Sequence, residues 1–286
     1  MPDTGRIRPT ANGLTALRAF DLDLLVRAAE AAADVAGAVI RPFFRNPMAA
    51  ELKHDASPVT IADRTAELAL RAVLSERFPD HGILGEEFPA RNPDAALVWV
   101  LDPIDGTRAF ITGRPIFGTL IALLQDGAPI LGIIDQCVTG ERWTGAVGRP
   151  TRFRSAFGGT AGCRSCPALA DAELSLTSPE MLDDDDRTSW ARLRSHTRRT
   201  TYGGDCYAYG LLALGQIDII AESNMKIWDW AALTPIVEGA GGQLTDWQGK
   251  PLTPDSDSHT LATGDSRLLA QAVAVLDRHF QARGGL

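Results

Sequence analysis

An apolar run that ends directly in two carboxylates sets the strongest limit on how this chain folds: Trp99-Val100-Leu101-Asp102-Pro103-Ile104-Asp105-Gly106-Thr107. The apolar part reads as a strand, and Pro103 removes a backbone donor and fixes φ, so the chain turns with both acids on the turn. Asp102, Asp105 and the Ile104 carbonyl then offer oxygen ligands for one or two hard cations such as Mg²⁺, with no histidine required. The amides of Gly106 and Thr107 follow at once. If a helix or turn starts there, they form an anion site beside the cations. Taken alone, an Asp-x-x-Asp pair between strand and turn is more often an Asx-turn or a helix cap.

The surrounding pattern places this strand in a sheet under helices. Leu17, Phe20, Leu24, Leu25, Ala28, Ala32, Val35 and Val39 recur at helical spacing and predict a long amphipathic helix over Thr15–Phe44, with Pro42 near its end. A second helix is predicted from Ile61 through Leu68, Val73, Leu74 and Phe78, stopped by Pro79. Short β-prone runs follow at Ala96–Leu101, Gly118–Leu124, Ile130–Asp135 and Arg142–Ala146, read as an antiparallel sheet beneath the two helices. Beyond Gly158 the pattern resets: strands at Glu173–Thr177 and Ile217–Ala221, helices at Tyr207–Gly215, Trp228–Gly239 and Asp265–Arg283, and the acidic run Asp183–Asp186 as a helix start. The expectation is an α/β (α+β) chain with a loose tail at 1–13, an N-terminal half at 14–157 and a C-terminal half at 158–286.

With 286 residues the chain can bury a large core, and its net charge of −8 disfavours sequence-independent nucleic-acid binding. No apolar run approaches the roughly 20 residues of a membrane-spanning helix. Four cysteines and the lack of a secretory pattern lead to a cytoplasmic expectation. Cys163-x-x-Cys166 has no second Cys pair or His cluster to complete a zinc site and reads as a loop. The five histidines are scattered and read as structural or surface groups, and Arg194, Arg198 and Arg199 as a solvated face.

Three further blocks carry acids. Gly85-Glu86-Glu87 follows Ile83 and Leu84 just before the strand of Asp102, and Trp228-Asp229-Trp230-Ala231-Ala232 sets an acid at a predicted helix start, where it also suits the helix dipole. Lys53-His54-Asp55-Ala56-Ser57-Pro58-Val59-Thr60-Ile61-Ala62-Asp63 leads to an acid at another. Together with Asp102–Thr107, these blocks match in order and spacing the inositol-monophosphatase-like superfamily, over nearly the whole chain from about Leu14 to Phe280. Arg108-Ala109-Phe110-Ile111-Thr112-Gly113-Arg114-Pro115, Asp135-Gln136, Gly140-Glu141-Arg142-Trp143 and Gly204-Asp205-Cys206-Tyr207-Ala208-Tyr209-Gly210 resemble most the histidinol-phosphatase branch.

The resemblance implies a layered αβαβα sugar-phosphatase fold, most often a homodimer, acting on a small phosphorylated metabolite. It assigns one Mg²⁺ to Glu86, Asp102 and the Ile104 carbonyl and a second to Asp102, Asp105 and Asp229, with Glu86 helping a third; Mn²⁺ suits the same oxygens. It gives phosphate to the Gly106 and Thr107 amides and the attacking water's proton to Thr107, supported by Asp63 with Glu86 adjacent. The displacement is in line, without a phosphoenzyme. Asp205 and Glu222 are the acids expected to contact the leaving group, and Asn224 stands where relatives often carry a smaller residue. The leading substrate is histidinol phosphate; alternatives are myo-inositol 1-phosphate or a related sugar phosphate, a nucleotide 3′-phosphate, or a catalytically silent binding role.

Overall fold

Side chains of the central strands alternate between two buried clusters, one on each face of the sheet, and so divide the protein into layers. The computed structural model describes residues 21–46, 50–52, 58–256 and 258–277. The expected tail at 1–13, the expected beginning of the first helix at Thr15 and the expected end of the last helix at Arg283 lie outside them.

In chain order the described elements are α1 (Leu22–Ile40), β1 (Ala50–Leu52), β2 (Pro58–Thr60), α2 (Ile61–Arg77), β3 (Gly82–Gly85), β4 (Leu97–Asp105), α3 (Thr107–Ile111), β5 (Gly118–Gln125), β6 (Ala128–Gln136), β7 (Glu141–Ala146) and β8 (Arg152–Arg154). There follow β9 (Glu173–Leu176), α4 (Asp184–His196), β10 (Arg199–Tyr202), α5 (Asp205–Leu212), β11 (Ile219–Glu222), α6 (Ile227–Trp230), α7 (Leu233–Gly239), β12 (Gln243–Thr245), β13 (Thr260–Thr263) and α8 (Ser266–Leu276).

A six-stranded sheet runs β3-β4-β5-β6-β7-β8 and a five-stranded sheet β10-β9-β11-β13-β12, while β1 and β2 pair as a separate ribbon. On one face of the larger sheet, Trp99, Leu101, Ile121, Leu123, Leu131 and Ile133 pack against α1 and α2. Their alternates Val98, Val100, Leu120, Ala122, Leu124 and Ile134 face α5, α6 and α7, which also cover Ile220, Leu244 and Ala262 of the second sheet. The outer face of that sheet, with Leu174, Leu176, Ile219 and Leu261, is closed by Trp190 and Leu193 of α4 and by Leu268, Ala272 and Leu276 of α8. The layer order is therefore αβαβα. Each fully buried Leu or Ile in these layers contributes about 1.5–3 kcal/mol relative to exposure.

The four strands expected to pair antiparallel do so, and the sheet extends beyond them with β3 parallel to β4 and β8 antiparallel to β7. Other expectations need correction in detail. The helix expected over Trp228–Gly239 divides into α6 and α7: Ala231 and Ala232 keep helical dihedrals, but Pro235 has no N–H to give the carbonyl four residues back. The helix expected from Tyr207 begins two residues earlier, at Asp205. The last helix ends at Leu276, with Asp265 as its N-cap accepting from Arg267 N–H. Asp183 caps α4 as the acidic run suggested, its carboxylate accepting from Asp186 N–H.

Candidate active site

The end of β4 is where the layers open. Asp102 pairs with Leu120 and Asp105 with Gly118, so three steps on β4 oppose two on β5. The resulting bulge lies at Pro103, whose carbonyl accepts from Thr119 Oγ1 at 2.8 Å. Both carboxylates thereby reach the sheet's edge with separate supports. Asp102 Oδ1 accepts from Ile104 N–H at 3.0 Å, and Asp105 Oδ2 accepts from Cys206 N–H at 2.5 Å, at the start of α5.

Asp229 arrives from the opposite side. As expected it stands in the first turn of its helix, as the third residue of α6, and its Oδ2 accepts from Lys226 N–H at 2.6 Å. Carboxylate oxygens of Asp102, Asp105 and Asp229 all lie within 4.8 Å of one another. Burial pushes the Asp102 carboxyl well above the usual carboxylate range, and Glu86, Asp105 and Asp229 push it the same way. Asp105 is raised likewise, by burial and then by Asp205 and Asp229. Asp229 is pushed up to about 8, by burial first and Glu86 second. A buried carboxylate cluster of this kind is the donor set that a hard dication neutralises, so these residues fit Mg²⁺ or Mn²⁺.

Gly106 caps α3 in a left-handed conformation, φ +88°, and a Cβ there would meet the Asp205 side chain at 2.9 Å. Glycine therefore holds this position for two reasons, the backbone angle and the neighbour. Thr107 follows, its hydroxyl 3.1 Å from the Ile104 carbonyl and 3.3 Å from Asp63 Oδ1. Asp63 closes a capping box with Thr60, its Oδ2 accepting from Thr60 N–H at 2.8 Å and Thr60 Oγ1 at 2.5 Å. Its second oxygen is thus left facing Thr107, and burial raises this carboxyl as well.

Two adjoining cavities extend from the cluster. The outer, about 380 Å³, is lined by Glu86, Gly106, Thr107, Arg108, Glu180 and Asn224 among others. The inner, about 140 Å³, is lined by Asp105, Asp205, Tyr209, Glu222, Met225 and Asp229 among others. Asn224, at φ +61°, borders both. Glu222 is buried, and its oxygens accept from Thr177 N–H at 2.8 Å and Tyr209 OH at 2.9 Å. Burial and Glu222 push the Asp205 carboxyl up to about 7, against the pull of Arg114 and Arg108.

The sequence reading passed over Glu67. Its buried carboxylate accepts from Glu87 N–H at 2.7 Å and from Arg71 Nε at 2.7 Å, and a Cβ on Gly85 would lie 2.0 Å from it. It cradles the turn that presents Glu86. The signal was available, because Glu67 falls on the buried stripe of α2 with Ala62, Asp63, Ala66 and Leu70. Of the histidines, His81 stacks on Phe78 and His259 pairs with Asp186 at 2.9 Å, while His54 and His279 lie outside the described residues. Cys163 and Cys166 are free thiols in a loop, both raised by burial. No described helix is long and apolar enough to cross a membrane.

Comparison with known proteins accords with this geometry. The family model described as inositol monophosphatase family matches residues 21–280. The chain is 45% identical over 268 residues to the bifunctional phosphatase IMPL2, chloroplastic, of Arabidopsis thaliana, covering 91% of this chain and 77% of that protein. It is 37% identical over 215 residues to a histidinol-phosphatase of Mycobacterium tuberculosis, covering 70% and 78% respectively. Among solved structures, an inositol monophosphatase from Zymomonas mobilis is similar at a TM-score of 0.82 and 48% identity, covering 90% of this chain and 99% of that one.

Proposed function

Because the chain belongs to the inositol monophosphatase family, and is a phosphatase of small phosphorylated metabolites, we propose that its substrate is histidinol phosphate, hydrolysed to histidinol and phosphate in histidine biosynthesis. The observation that carries this reading is the sign of the charge around the cavities. Asp205, Glu222 and Glu180 line the space beyond the cluster, three carboxylates against the one guanidinium of Arg108 among the described residues. A leaving group bearing an ammonium and an imidazole complements such walls, whereas the second phosphate of a bisphosphate ester would face carboxylates there. The similarity to a histidinol-phosphatase supports the same choice.

In this reading Glu86, Asp102, the Ile104 carbonyl, Asp105 and Asp229 would hold two Mg²⁺, and Glu86 would help a third. When bound, the cations supply positive charge to the phosphoryl oxygens and make a water acidic enough to attack near neutral pH. The protein's own part is positional. The Gly106 and Thr107 amides orient the phosphate, and the Thr107 hydroxyl takes the attacking water's proton while passing its own to Asp63 Oδ1. Attack forms one P–O bond as the ester P–O bond breaks, and the leaving oxygen takes its proton from solvent water.

The assay is phosphate release with Mg²⁺ from histidinol phosphate, inositol 1-phosphate, fructose 1,6-bisphosphate and adenosine 3′,5′-bisphosphate. Histidinol phosphate is expected to lead in kcat/KM by about a hundredfold or more. Similar values for all four esters would remove the substrate assignment and leave the phosphatase chemistry.

The carboxylate cluster also predicts how stability depends on pH. Asp229 has an ordinary value of 3.8 and rises to about 8 in the fold, so between these the folded state binds the extra proton. Stability of the metal-free protein therefore falls as pH rises from about 4 to about 8. Saturating Mg²⁺ should flatten that decline and raise Tm near neutral pH by roughly 5–10 °C, the equivalent of about 2.7 kcal/mol at a hundredfold excess over Kd. Identical melting curves in EDTA and in Mg²⁺ would count against these acids as cation ligands.

A further inference from the structure

Two ionised side chains meet across the outer cavity from opposite walls. Arg108 stands on α3, one residue beyond Thr107, and Glu180 on the single 3₁₀ turn Pro179–Met181 that leaves β9. Their ion pair measures 3.1 Å, with the side chains 64% and 77% exposed. So exposed a pair gains little, because water screens it, and either partner can exchange it at small cost. The backbone beneath Glu180 is fixed by contrast. Ser178 Oγ accepts from Glu180 N–H at 3.2 Å, and Ser223 Oγ donates to the Met181 carbonyl at 2.8 Å.

The inner acids are already committed. Both oxygens of Glu222 accept hydrogen bonds from within the protein, and the residue is 2% exposed. Asp205 packs against Gly106 in the wall common to the two cavities. Glu180 is the carboxylate that lines the cavity away from the cluster with its charge open to exchange.

We propose that Glu180 is a specificity-determining residue that receives the cationic end of the leaving group, exchanging Arg108 for the substrate's ammonium or imidazolium; this rests on the histidinol-phosphate reading. The exchange pairs charges on both sides. The substrate cation takes Glu180, and the released Arg108 guanidinium stands near a dianionic phosphate held at Gly106 and Thr107. A neutral polyol ester gains only the second of these pairings, so Glu180 discriminates between leaving groups without touching the reacting atoms.

Glu180→Gln removes the charge at an exposed position and keeps the size of the side chain. Its kcat/KM for histidinol phosphate is expected to fall about tenfold or more, through KM, with kcat within about twofold, while kcat/KM for inositol 1-phosphate stays within about twofold. Glu180→Asp should recover part of the loss. Equal losses on both esters, or none on either, would overturn the assignment. A wild-type enzyme without preference for histidinol phosphate overturns the substrate reading, whereas a wild-type preference that survives undiminished in Glu180→Gln overturns only the role of Glu180.

Discussion

Asp102→Asn is expected to lower kcat by more than about 10³-fold while leaving the fold intact and the metal-free protein no less stable. The two halves of this expectation have different causes. Asp102 is 2% exposed at the end of β4, and its Oδ1 accepts from Ile104 N–H. An asparagine oxygen can make the same bond, so the bulge at Pro103 survives. What disappears is a charge that Glu86, Asp105, Asp229 and Asp63 all oppose. Without metal, its loss relieves repulsion, and Tm in EDTA should hold or rise. With metal, the cluster lacks the acid assigned to both cations, so turnover and the Mg²⁺-induced rise in Tm should both shrink. Steady-state kinetics and melting curves in EDTA and Mg²⁺ measure the two halves independently. Near-normal turnover in the folded variant would refute the proposed ligand role of Asp102.

That acid was readable from the sequence because everything that defines it is local. The unbroken apolar run Leu97–Leu101 gives the strand and both acids fall within four residues of its end, but Pro103 makes a bulge inside β4, which stays paired to Asp105, rather than the expected turn. The same holds for Thr60 and Asp63, whose capping box is a four-residue pattern, and for the acidic start of α4. The blocks around Asp63, Glu86, Asp102–Thr107 and Asp229 do meet in space: Thr107 bonds Asp63, three aspartates share one cluster, and Glu86 acts on Asp63, Asp102 and Asp229. Legibility fails where a residue's role depends on a partner far along the chain. The bonds that fix Glu222 in the cavity wall are of this kind, coming from Thr177 and Tyr209, 45 and 13 residues away. The parallel register of β3 and the division of α6 from α7 are likewise settled by packing between elements, to which hydrophobic periodicity is blind.

The clearest case of such hidden dependence yields the largest expected effect on the fold, at Gly132. Gly132 on β6 lies directly across from Gly145 on β7, and together they leave a bare strip on the sheet. The helical segment α6–α7 sits on that strip. A Cβ on Gly132 would be 1.9 Å from the Ala232 carbonyl oxygen, and one on Gly145 would be 2.4 Å from the Pro235 carbonyl carbon. These are backbone atoms, so no rotamer change makes room and the helix itself must move. Gly132→Ala should therefore cost about 3 kcal/mol or more, read as a fall in Tm of roughly 6–12 °C. The same displacement pulls on Asp229, three residues before Ala232, and with it the third carboxylate of the cluster. Gly132→Ala is accordingly expected to lose activity even below its melting temperature, with a weaker response to Mg²⁺. Gly140→Ala serves as the control, because nothing lies within 4 Å of a Cβ there and only its φ of +75° resists the change. It should lower Tm modestly and leave kcat alone. If Gly132→Ala behaved like Gly140→Ala, the close seating of α6–α7 on the sheet would not be what brings Asp229 to Asp102 and Asp105.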